Sequence, residues 1–188
     1  VAAGEPHRAL TSAPDGGTVP DLVRPGLRLL FCGINPGRRS GELGQHFARP
    51  GNRFWPVLHR SGLTDRQLRP AEQAELLALG IGITNLVPRT TAAAAELSKD
   101  ELRAGAGHLE AVVRSLAPAT VAVLGILAYR TAFARPRAVL GRQPEDLGPA
   151  ALWVLPNPSG AQARYQLDDL VEQFSALRRD VDRRAPVS

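Results

Sequence analysis

The stretch Phe31-Cys32-Gly33-Ile34-Asn35-Pro36-Gly37, FCGINPG, ends an apolar run on one amide side chain and then a forced turn. Asn, Pro and Gly are the commonest turn formers, so a plain turn is one reading. The other is an asparagine held rigidly at the carboxyl edge of a sheet, where α/β proteins place their sites. On either reading residues 27–34 are a strand, and the fold is worked out from it.

Three more short apolar runs follow, at 81–87, 120–124 and 151–155, most containing β-branched residues. Longer helix-like segments separate them, at roughly 51–61, 70–79, 126–134 and 166–181, plus one starting at Ser98. In that last segment Ser98 and Glu101 stand at capping-box spacing, and Leu102, Ala106, Leu109, Val113 and Leu116 recur at helical intervals. Gly105 and Gly107 each weaken it by roughly 1 kcal/mol relative to alanine, which points to close packing against a neighbour. Alternating strands and helices predict one three-layer α/β/α domain, residues 23–182, around a mainly parallel sheet of short strands. Residues 1–22, rich in Gly, Pro, Ala and Thr without periodicity, read as a flexible arm, and 183–188 as a frayed end.

The 188 residues suffice for one domain with a proper core, and 44% hydrophobic content suits a globular chain. No apolar run approaches the roughly 18–20 residues that span a bilayer, and no signal-peptide block opens the chain, so a cytoplasmic location is the default; a monomer is expected as well. Cys32 is the single cysteine, which excludes internal disulfides and thiolate-held iron–sulfur clusters. His7, His46, His59 and His108 lack metal-ligand spacing, so neither metal nor cofactor is expected. A net charge of +5 favours a polyanionic partner, and almost all of the basic residues are arginine. Arg38, Arg39, Arg49, Arg53 and Arg60 lie near the opening motif, where their forks suit phosphate oxygens; a solvated face is the plainer reading of each.

The last apolar run ends on a second Asn-Pro corner, Asn157-Pro158-Ser159-Gly160. In a parallel sheet the two strand ends lie at one edge, so residues far apart in sequence can line one cleft. The paired motifs GINPG and NPSG resemble the two signatures of the mismatch-specific uracil-DNA glycosylase and thymine-DNA glycosylase family, in their bacterial (MUG) form. The similarity extends through FARPGNRFW (47–55), TDRQL (64–68), TNLVPRTT (84–91) and ELSKDEL (96–102), in order along roughly residues 24–180.

That resemblance implies a uracil-DNA glycosylase-like fold and a monofunctional enzyme that flips uracil, or a related damaged pyrimidine, out of duplex DNA, mainly opposite guanine. Asn35 would hold the water that attacks the anomeric carbon. Phe47 would stack on the extruded base, and backbone around Gly33, Ile34 and Phe47 would bond its polar edge, with Asn157 in the same pocket. Ser40 would crowd the base's 5-position. The loop of Ser159, Gly160, Ala161, Gln162 and Arg164 would enter the duplex and face the widowed guanine.

The chain also departs from the family. Asn85 stands where the enterobacterial form carries lysine; it would contact base or water, or cap the strand end. The loop reads GAQAR, one residue longer than the short form, with alanine in place of a bulkier wedge, so the register of Arg164 depends on the extra residue. Cys32 reads as a core thiol, Phe54 and Trp55 as core, and His46 as a solvated loop residue or a group titrating beside the pocket. Lys99, the sole lysine, lies in a surface-like helix start, unsuited to the Schiff base that strand-cutting glycosylases use.

Rival readings fare worse. A nucleotide-binding domain lacks G-x-x-x-x-G-K-[ST], and a hydrolase built on Ser159 lacks the G-x-S-x-G elbow. A noncatalytic DNA-binding module shares the charge but leaves Asn35 without a role.

Overall fold

The computed structural model describes residues 17–160 and 164–184. Five strands form one sheet in the order β2-β1-β3-β5-β4: β1 (Leu29–Gly33), β2 (Ile81–Asn85), β3 (Thr120–Leu124), β4 (Gly141–Leu147) and β5 (Ala150–Leu155). The first three and β5 are parallel neighbours; β4 returns antiparallel at the edge. Strands buried on both faces read as continuous apolar runs, which is why the four parallel ones were legible.

The two faces separate by strand alternation. Leu29, Phe31, Ile81, Ile83, Ala122, Leu124, Trp153 and Leu155 meet Phe54, Leu58, Leu170, Phe174 and Leu177 on one side. These come from α2 (Phe54–Arg60) and α6 (Leu167–Arg184). Leu30, Cys32, Val121, Val123, Leu152 and Val154 meet Leu109, Val113, Ala128 and Tyr129 on the other. Those belong to α4 (Lys99–Leu116) and α5 (Ile126–Ala132). Each fully buried large apolar side chain in these layers contributes about 1.5–3 kcal/mol.

The α4 cap forms as its spacing predicts. Glu101 N donates to Ser98 Oγ at 3.1 Å and Ser98 N to Glu101 Oε2 at 2.8 Å. The two glycines of that helix part company. A Cβ on Gly105 would lie 2.5 Å from the Leu86 carbonyl, so α4 presses onto the chain leaving β2, whereas Gly107 faces open space.

Other expectations need correction. Of the flexible arm expected over 1–22, residues 1–16 lie outside the described residues, and 17–22 pack onto the domain: Val19 is buried, Leu22 bridges Ile83, and Asp21 accepts from Thr84 Oγ1. The helix expected over 70–79 is split into a 3-10 turn, Pro70–Glu72, and a short α3, Glu75–Ala78. At the break, Gln73 spends its side chain on His46 N and Gly44 O. A short helix α1 (Arg38–Leu43) follows the first Asn-Pro corner, and α6 runs through Arg183 and Arg184, which were expected to fray. No helix among the described residues is long and apolar enough to cross a membrane.

Candidate active site

At the carboxyl edge of the parallel strands lies a cavity of about 350 Å³. Both Asn-Pro corners open onto it. Gly33, Ile34, Asn35, Ser40, Phe47, Asn85, Asn157 and Ser159 all line it, joined by His46, Asn52, Thr91 and the alanines 92–95. The strand order explains the meeting. β3 separates β1 from β5, and at its end a Cβ on Gly125 would lie 3.1 Å from Ile34 and 3.8 Å from Asn157.

The floor is built on a missing side chain. Gly33 pairs with Asn85 across β1 and β2, and a Cβ at Gly33 would lie 2.5 Å from Asn85 Oδ1. Asn85 is 7% exposed, and its carboxamide takes no hydrogen bond from the described residues. Phe47 adopts a left-handed backbone (φ 52°), a conformation that costs a non-glycine residue roughly 1–2 kcal/mol. Its ring stacks on Phe54 with centroids 4.0 Å apart, while it also lines the cavity.

Asn35 has its amide orientation decided by chemistry. Its Nδ2 donates to Thr91 Oγ1 at 2.7 Å, Arg89 O at 3.1 Å and Pro36 O at 3.2 Å. Two of these are carbonyls, which only accept. Thr91 spends its single proton on Ala93 O at 2.9 Å, so its oxygen must accept from Asn35. Nitrogen therefore faces the 89–91 segment, and Oδ1, which accepts no hydrogen bond from the described residues, remains for a ligand or water. Asn157 differs. Its Oδ1 accepts from Ser159 N at 3.0 Å, closing an Asx turn.

His46 departs most from its expected setting. It is 2% exposed rather than a solvated loop residue. Its backbone N donates to Gln73 Oε1, its carbonyl accepts from Trp55 Nε1, and its Nε2 lies 3.0 Å from Pro20 O. A carbonyl partner makes Nε2 the protonated nitrogen, leaving Nδ1 a bare acceptor. Burial holds the imidazole below its ordinary 6.5, outweighing the Pro20 carbonyl and Asp21, which both push it up. Burial likewise pushes the Cys32 thiol far up, so it is no nucleophile.

The arginines sort themselves. Arg38 and Arg49 are exposed and hold no ion pair among the described residues, and Arg49 lines the cavity. Arg39 pairs with Glu42 and Arg60 with Asp168. Arg53 turns inward onto backbone carbonyls. Of the second-motif loop, Gly160 packs against Gly51, while Arg164 lies over the Tyr165 ring at 5.8 Å and outside the cavity lining. Ala161 and Gln162 fall outside the described residues. Sequence reading did not single out Thr91, although it lies in the TNLVPRTT stretch; its partnership with Asn35 spans 56 positions and leaves no local trace.

Comparison with known proteins adds two findings. The family model of the Uracil DNA glycosylase superfamily matches residues 20–181. A solution NMR structure of a Methanosarcina acetivorans protein, described as a candidate uracil DNA glycosylase, superposes with a TM-score of 0.62 at 18% identity. The match covers 89% of this chain and 98% of that one, and at such identity the likeness is one of fold.

Proposed function

The chain belongs to the uracil DNA glycosylase superfamily, and on that premise we propose that it hydrolyses the N-glycosidic bond of uracil in double-stranded DNA, mainly opposite guanine, leaving an abasic site. A base within a duplex is out of reach, so it is extruded at a cost of a few kcal/mol, least for a mismatch. Phe47, already supported by Phe54 on one face, offers the other to the extruded ring. Asn85, whose carboxamide takes no hydrogen bond from the described residues, faces the base or the water from the cavity floor.

The observation that carries the reading is the fixed amide of Asn35. With Nδ2 held by three acceptors, Oδ1 accepts a proton of the attacking water and turns a water lone pair toward the anomeric carbon. An amide is no strong base. That suits a dissociative reaction, in which the uracil anion departs before strong nucleophilic help is needed. Dipoles aimed at the departing base contribute roughly 3–4 kcal/mol each in comparable sites.

A duplex with one G·U pair, incubated with the protein and then cleaved with alkali, tests the reading. Strand breaks at the uracil are expected; retention of the duplex without breaks would mark a binding module instead. Asn35→Ala should lower the single-turnover rate by at least ~10²-fold, the scale of losing one well-placed polar group. Lys99 is exposed on the first turn of α4 and does not line the cavity, so borohydride should trap no covalent complex. A trapped adduct would replace hydrolysis by imine chemistry.

A further inference from the structure

Arg53 joins the second Asn-Pro corner to the start of α2. Arg53, at the start of α2, lies between the Phe47–Asn52 wall of the cavity and the segment that leaves β5. Its backbone N donates to Pro158 O at 3.1 Å, its Nε reaches the same carbonyl at 3.4 Å, and one terminal nitrogen reaches Ser159 O at 2.8 Å. The other terminal nitrogen bonds Tyr165 O. Pro158 and Ser159 begin the loop that follows the second corner; Tyr165 ends it. A second close approach lies beside the fork, where a Cβ on Gly160 would meet Gly51 O at 2.6 Å.

We propose that Arg53 is a positioning residue: its guanidinium pins both ends of the 159–165 loop to the Phe47 side of the cavity. The inference rests on the glycosylase reading, in which this loop stabilises the duplex around an extruded base. The chemistry favours arginine specifically. A planar fork addresses several diverging carbonyls at once, whereas an ammonium is a point charge that satisfies fewer. The competing role for a cation beside a DNA-facing edge, attraction of phosphate, depends on charge alone and would survive replacement by lysine.

The clamp acts on holding the duplex open, so its loss should show where extrusion is costly. Arg53→Ala and Arg53→Lys should each slow uracil release from a G·U duplex by about tenfold or more, the scale of lost charge-assisted hydrogen bonds. Release from a single unpaired, bulged uracil should fall by less than about threefold, because little pairing must be broken. The dependence of duplex binding on salt should match that of the parent protein, and amide exchange over 158–166 should rise while the strands stay protected. Gly160→Ala, which disturbs the same seam from an exposed position, should repeat the selective loss and serves if Arg53→Ala does not fold.

Equal losses on both substrates, near-normal behaviour of Arg53→Lys, or a shallower salt dependence in Arg53→Ala would each overturn the proposal. If the parent protein releases no uracil from either substrate, the glycosylase reading falls. Amide exchange then decides the clamp: an increase confined to 158–166 upholds the pinning, and unchanged exchange refutes it.

Discussion

The two Asn-Pro corners are nearly the same in letters and opposite in use. At Asn157 the side-chain oxygen is consumed by its own turn, accepting from Ser159 N two residues on. At Asn35 the nitrogen is anchored 54 and 56 positions away, at Arg89 and Thr91, and the oxygen accepts no hydrogen bond from the described residues. The turn reading is therefore right for the second corner and insufficient for the first. An asparagine becomes a candidate catalytic group when distant structure, rather than its own loop, fixes its amide.

Alanine at each corner is the sharpest way to break that contrast. Asn35→Ala should lose at least ~10²-fold in single-turnover rate. Asn157→Ala should lose less than about tenfold, the worth of one turn hydrogen bond. Asn157→Asp, whose carboxylate still accepts from Ser159 N, should come closer to the parent. Equal losses at the two corners would mean that both serve the chemistry, or neither does. A smaller effect is expected one bond further out. Thr91→Val removes the acceptor that orients the Asn35 amide, and should slow release about five- to tenfold, with Thr91→Ser restoring it.

What was legible follows the same division between local and distant causes. Strands buried on both faces announced themselves, and so did the α4 cap, because Ser98 and Glu101 are three residues apart. The antiparallel edge strand GRQPEDL did not, since it is half-exposed and carries Pro144 within its register shift. Short α1, polar and containing Gly41, has no apolar stripe to read. Several residues that line the cavity stand in the motifs, but Thr91 and Asn52 were not singled out, and the orientation of the groups has no trace in the letters. Arg53 read as a solvated arginine or a phosphate fork, because the backbone carbonyls that engage it have no letter in a sequence.

His46 shows the same limit and yields a test on stability. Its local setting, Gln45-His46-Phe47, says loop; it is buried among partners distant in sequence, Pro20 and Gln73, and against Trp55. Its folded value lies below the ordinary 6.5, so the unfolded chain binds the proton more readily. The stabilisation is fully present above about 6.5 and is lost as the pH falls through the folded value. The slope cannot exceed about 1.4 kcal/mol per pH unit for one proton. His46→Gln, whose amide still donates to Pro20 O, should flatten the fall of the melting temperature between pH 7 and 5. An unchanged fall would place the acid sensitivity elsewhere.

The smallest effect expected concerns which corner the DNA backbone passes. Arg49 lines the cavity with no ion pair among the described residues, whereas Arg60 is engaged by Asp168 on the α2–α6 face. Each phosphate contact contributes about 0.9 to the slope of log affinity against log salt. Arg49→Ala should reduce that slope by about one unit with little change in the rate at saturation, and Arg60→Ala should leave it where it was. If Arg60 moved the slope and Arg49 did not, the duplex would lie against the α2–α6 face. The anchored amide of Asn35 would then be turned away from its substrate, whatever its geometry permits.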